Sequence, residues 1–158
     1  MGDMREFTTV ACRFDDVPER LVAAFGGADT ILPLRVRLGD LRIERDVDVH
    51  LTPRSGYPGY RLVDISWKPQ GGGPYPSFAG TLSIAEDAVG WSRIEIYGKY
   101  RPPFGIAGAA FDAAIGQRIA HGTAIELLAE IKRLLLSGSG HSSSNVGPSD
   151  VVEPVAGP

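Results

Sequence analysis

Residues 34–51 read LRVRLGDLRIERDVDVHL. Leu34, Val36 and Leu38 alternate with Arg35 and Arg37; beyond Gly39-Asp40, Leu41, Ile43, Val47, Val49 and Leu51 alternate with Arg42, Glu44, Asp46, Asp48 and His50. Successive side chains of a strand point to opposite faces, so a period of two gives one buried and one wet face, the habit of an antiparallel sheet. Gly39-Asp40 can supply the positive φ of a two-residue type II′ turn. Such a turn pairs Leu38 with Leu41 and Val36 with Ile43 on the same face.

The same period recurs on either side. Residues 7–14, rich in β-branched and aromatic types, read as a strand with Val10, Cys12 and Phe14 on one face. Three more strands are expected: residues 60–68 with Val63, Ile65 and Trp67 inward, 77–85 with Phe78, Leu82 and Ile84 inward, and 91–100 with Ile94, Ile96, Gly98 and Tyr100 inward. Asp16, followed by Pro18 and Glu19, has the spacing of an N-cap and capping box, opening a short helix with Val17, Leu21 and Phe25 at intervals of four. Gly26-Gly27 ends that helix. Residues 69–76 read as a loose connection and residues 87–90 as a tighter one. Pro102-Pro103 closes the last strand. A long amphipathic helix is then expected from about Phe104 to Leu136, with Phe111, Ile115, Ile119, Ile125, Leu128, Ile131 and Leu135 as its apolar stripe. Strands and helices do not alternate, so the sheet is expected to be antiparallel with one long helix covering its apolar face, an α+β layout.

Length and charge set limits on function. The chain has 158 residues, which favours a single domain, expected here over residues 4–136. Residues 137–158 are rich in Gly, Ser and Pro, have no aromatic residue and no apolar period, and read as a disordered tail. All 16 Lys and Arg residues lie before it. A formal net charge of -3 argues against nucleic acid or an anionic membrane as partner. No apolar run is long enough for membrane insertion. The single cysteine, Cys12, excludes an internal disulfide framework and reads as a small buried residue; with no export signal, a cytoplasmic location is the default.

The first half of the long helix is crowded with small residues, among them Gly105, Ala107, Gly108, Ala113, Ala114, Gly116 and Ala120. They admit two readings: a helix backbone pressed closely onto the strands, or a cavity between helix and sheet with apolar walls. The stretch Ile96-Tyr-Gly-Lys-Tyr100-Arg-Pro-Pro103-Phe-Gly105-Ile-Ala-Gly108, with Asp112, Arg118, Ala120 and Thr123 after it, resembles the closing segment of the START-like (SRPBCC) superfamily, which includes polyketide cyclase/dehydrase-like and Bet v 1-like proteins. That resemblance implies a helix-grip fold: an antiparallel sheet wrapped around the C-terminal helix over a deep hydrophobic pocket. Members bind lipids, sterols, polyketides or hormones, and some catalyse cyclisation or dehydration.

Trp67, Phe78, Tyr100, Phe104, Phe111, Ile115 and Ile119 are the candidate lining of such a pocket, and could equally be plain core. No catalytic residue is assigned. His121, one turn after Arg118, could serve as a general base if it faced a cavity, but its helical position favours a solvated side chain. Asp112 sits near the helix start, where the dipole favours its charge. Asp46, Asp48 and His50 could face one cation at i, i+2 and i+4, yet they alternate against the apolar face and read as wet, so no metal is expected. Glu44, Asp46, Asp48, Asp64 and Glu95 are all expected to point outward. No phosphate-binding loop, dinucleotide fingerprint or nucleophile elbow occurs, and no cofactor is expected. The leading expectation is binding of a hydrophobic small molecule, lipid-like or aromatic and polyketide-like. A cyclase or dehydratase-type enzyme is the alternative, and an interaction module without a ligand the third. A homodimer is left open.

Overall fold

The computed structural model describes residues 2–38, 41–71, 75–101 and 109–137. Strand β1 (Gly2–Val10) is followed by helix α1 (Val17–Ala24), five strands, β2 (Asp29–Leu38), β3 (Leu41–Arg54), β4 (Tyr60–Pro69), β5 (Ser77–Ala88) and β6 (Trp91–Arg101), and helix α2 (Ala109–Ser137). The strands form one antiparallel sheet in the order β1-β6-β5-β4-β3-β2, so β2 to β6 run as a meander and β1 returns to the far edge. The register of the β2–β3 hairpin pairs Leu38 with Leu41 and Val36 with Ile43, as the alternation required.

Of the inward positions expected on β4, β5 and β6, Val63, Ile65, Trp67, Phe78, Leu82, Ile84, Ile94, Ile96 and Tyr100 are buried and Gly98 is half-buried. Val47, Val49 and Leu51 of β3 join them. The helix α2 covers this face. It packs mainly against β1 and β2, the two edge strands, with further contact to α1. The sheet is therefore gripped from both edges, and the helix bridges over the central strands. This is the helix-grip arrangement, in an α+β fold.

Four expectations need correction. The first strand spans residues 2–10 and not 7–14: Val10 is its last residue, and Cys12 and Phe14 follow in the turns. Pairing with β6 decides this, because Gly2 already faces Tyr100. Asp16 stands at the N-cap of α1, but its side chain makes no capping hydrogen bond; its backbone is in the helical region, where the side chain does not reach back over the first turn. Ile125 is not on the buried stripe of α2. It is 55% exposed, while Ala120, Thr123, Ala124, Leu127, Leu128, Ile131 and Leu135 face inward. Small residues and a threonine thus hold stripe positions where only large apolar ones had been counted. The connection before β5 is not wholly loose: Tyr75 and Pro76 are buried. The expected tail, residues 102–108 and the helix start before residue 109 lie outside the described residues.

Candidate functional site

The register places the inward residues of the sheet in rows that run across the strands. One row is Val49, Trp67, Phe78, Tyr100 and Gly2. Three residues expected to line a pocket, Trp67, Phe78 and Tyr100, thus stand side by side on β4, β5 and β6. The Trp67 and Phe78 rings stack with centroids 4.2 Å apart and an angle of 20° between planes. The Trp67 indole N–H donates to the Pro76 carbonyl at 3.2 Å, so its one polar atom is satisfied inside the core.

The next row is Leu51, Ile65, Gly80, Gly98 and Met4. Gly80 and Gly98 face each other and leave a floor without side chains. The Phe78 ring lies over it: a Cβ at either glycine would overlap the ring's Cζ, besides a carbonyl oxygen of the neighbouring strand. Tyr100 leans the other way, its phenol end over Gly2. These rings, together with Tyr75, occupy the described part of the space beneath α2.

From above, α2 contributes Ile119, Ala120, Thr123 and Ala124, all buried. Thr123 Oγ1 lies 2.7 Å from the Tyr75 hydroxyl and 2.7 Å from the Ile119 carbonyl oxygen. Threonine has one proton; it goes to the carbonyl, so the tyrosine donates to Thr123. Burial pushes the Tyr75 hydroxyl up to about 12, so it stays a neutral donor across the physiological range. Gly116 is buried as well. Phe111 and Ile115 lie on the first turns of α2, but their side chains, like Phe104 as a whole, fall outside the described residues. Asp112 shares that position.

The third row is Pro53, Val63, Leu82, Ile96 and Glu6. Glu6 is an inward carboxylate, and its Oε1 lies 2.6 Å from Nδ1 of His121 on α2. Both side chains are half-buried, 27% and 33% exposed. His121 is therefore not the solvated histidine that helical position alone suggested. The sequence carried a signal for Glu6: Met4, Glu6, Thr8 and Val10 keep the period of two when the strand is begun at residue 2.

The outer face is mainly polar, with Phe7, Ile31 and Tyr97 exposed among the charges. Asp46, Asp48 and His50 are exposed there, as expected. Asp48 accepts from Gln70 at 2.7 Å, and His50 pairs with Asp29 and lies 3.1 Å from the Thr52 hydroxyl. The described residues contain no grouping of side chains that could hold a metal ion. Arg5 pairs with Glu95 and holds its carboxyl below the ordinary range, and Arg93 stacks 3.8 Å from the centre of the Phe7 ring. A cleft of about 830 Å³ near Asp29, Asp48, His50 and Lys68 opens on this wet face. Among the described residues, no helix is long and apolar enough to cross a membrane.

No protein-family model matches the chain, and no curated protein matches it. Among solved structures, it is similar to the crystal structure of DynU16, a protein of the dynemicin biosynthetic locus, with 16% identity over 86% of this chain and 48% of that one and a TM-score of 0.44. The chain spans about half the length of that protein, and a likeness at this level carries no argument about function.

Proposed function

We propose that this protein, read as a START-like domain, binds a hydrophobic small molecule, lipid-like or aromatic and polyketide-like, in the trough between α2 and the sheet. The observation that carries the reading is the bridging of α2 from edge to edge over the central strands, whose Gly80 and Gly98 carry no side chain beneath the Phe78 ring. In this reading the Phe78 ring holds the ligand's place on the floor and turns aside when a ligand enters. Trp67, Tyr100 and Ile119 then form the walls; Phe104, Phe111 and Ile115, proposed with them from the sequence, lie outside the described side chains. A cyclase or dehydratase acting on the same class of molecule is the second reading. It uses the same trough, and the specific observation in its favour is the inward Glu6 facing His121.

The test is uptake of an apolar fluorescent probe, with native mass spectrometry of the purified protein to identify any retained molecule. Gly116→Leu should reduce uptake while the fold survives, because it puts a large side chain on the buried face of α2. Phe78→Ala should increase it, since a cavity lined by apolar groups stays dry and takes apolar guests. Absence of uptake by both the parent and Phe78→Ala would sink the reading.

A further inference from the structure

We propose that Glu6 and His121 form a proton-accepting site for an acidic aromatic or enolic hydroxyl carried on an apolar molecule. The proposal rests on the reading of the trough as a ligand site and adds the polar group that such a ligand must carry. A carboxylate has acceptors only, so Glu6 fixes the His121 proton on Nδ1. In the neutral ring the lone pair is then on Nε2, the nitrogen that does not face Glu6. A carboxylate behind an imidazole orients the ring and stabilises the imidazolium that forms when Nε2 takes a proton.

The surroundings select the ligand. Glu6 faces the buried Ile96 across β6, and its neighbour along the same face of β1, Met4, ends the row that contains Gly80 and Gly98. The pair therefore borders the apolar floor. Arg118, one turn earlier on α2, is exposed to solvent. A second histidine, His50, also has a carboxylate on Nδ1, but the side chains of that pair are 54% and 80% exposed, where water competes for every proton. The Glu6–His121 pair is about half as accessible and lies beside apolar surface. A molecule matched to this place has an apolar body for the trough and one hydroxyl at its edge. On binding, the hydroxyl O–H bond breaks, the electron pair stays on oxygen, and the proton moves to Nε2. The product is an oxyanion beside an imidazolium, itself held by the Glu6 carboxylate, so the total charge of the complex is unchanged.

The experiment uses the full chain with p-nitrophenol and p-nitroanisole, which share an aromatic body and differ in the acidic proton. At a pH below the dye's own pKa, bound p-nitrophenol should show its phenolate absorption band, and p-nitroanisole should bind without any counterpart. His121→Gln should remove the band and weaken p-nitrophenol by about tenfold or more, the worth of a hydrogen bond to a charged group, while leaving p-nitroanisole affinity unchanged. Glu6→Gln keeps the imidazole and should diminish the band. A measurement on the parent needs no variant: nitrogen NMR of His121 should show the proton on Nδ1 alone, and a second proton on Nε2 when p-nitrophenol, but not p-nitroanisole, is added. If both dyes bind alike with no phenolate band, or the band persists in His121→Gln, the proton-accepting site is wrong and the trough reading stands. If neither dye binds, both readings fall.

Discussion

Gly80 and Gly98 are held to glycine by their neighbours across the sheet, not by backbone conformation. A Cβ on Gly98 would overlap the Ala79 carbonyl oxygen and the Cα of Gly80 as well as the Phe78 ring. A ring can turn, but a strand carbonyl inside a ladder cannot. Gly98→Ala should therefore destabilise the protein by roughly 1–3 kcal/mol, the usual cost of overpacking a core, read as a lower midpoint in urea unfolding. Tyr75 makes a different prediction. Its hydroxyl stays protonated in the folded state up to about pH 12, whereas a tyrosine in the unfolded chain ionises near ~10. The stability it contributes is complete below the unfolded value and is lost as pH rises through the folded one. One of the five tyrosines should resist ultraviolet titration until the protein opens, and Tyr75→Phe should abolish that resistant phase. The same variant leaves Thr123 without its donor, at about 1 kcal/mol.

The helix α2 shows what periodicity reveals about an element and what it misses. Ile119, Leu128, Ile131 and Leu135 were legible as its buried stripe because large apolar residues at intervals of three and four have one plain meaning. Ile125 obeyed the same count and is exposed, because the true centre of the face is built from Ala120, Thr123 and Ala124, whose small size hid it. Ile125→Ser should change stability by no more than about 0.5 kcal/mol, while Leu128→Ala should cost roughly 2–5 kcal/mol, a contrast that thermal or urea unfolding reads directly. The strands were more legible than the helix. A two-residue period tolerates no drift, so within β4, β5 and β6 the inward residues could be counted off from Val63, Ile65 and Trp67 onward. Tyr75 escaped because it lies outside any periodic segment, between two prolines.

At the scale of the molecule, the layout followed from a run of alternating strands and a long final helix, but the partner of the first strand did not. Nothing local to residues 2–10 says that they pair with residues 92–100, and the alternation of Met4, Glu6, Thr8 and Val10 is weak because two of its four inward members are polar. Glu6, and with it half of the proposed acid–base pair, stayed hidden for that reason. Arg5, beside it on the outer face, ties β1 to β6 through Glu95. The Glu95 carboxyl is held below its ordinary range, so its contribution is present above the unfolded pKa near ~4.3 and is lost as pH falls through the folded value. Because Arg5 is mostly exposed, Glu95→Gln should lower stability at neutral pH by less than about 1 kcal/mol and flatten the acid limb of the stability curve measured below pH ~5.

The place of β1 in the sheet has a consequence for synthesis. Residues 2–10 are made before the other described strands, yet their hydrogen-bonding partners, residues 92–100, leave the ribosome after all of those strands. Until then β1 has no partner on either side. Its sequence, Gly-Asp-Met-Arg-Glu-Phe-Thr-Thr-Val, breaks each approach to an apolar run with Asp3, Arg5 and Glu6. Charges placed in this way act as gatekeepers against pairing with other nascent chains. Closure of so distant a pair is also slow, in the range of milliseconds to seconds expected of folds dominated by non-local strand contacts. The carboxylate that faces His121 in the finished protein thus has earlier work, keeping an unpaired strand in solution while the chain is completed.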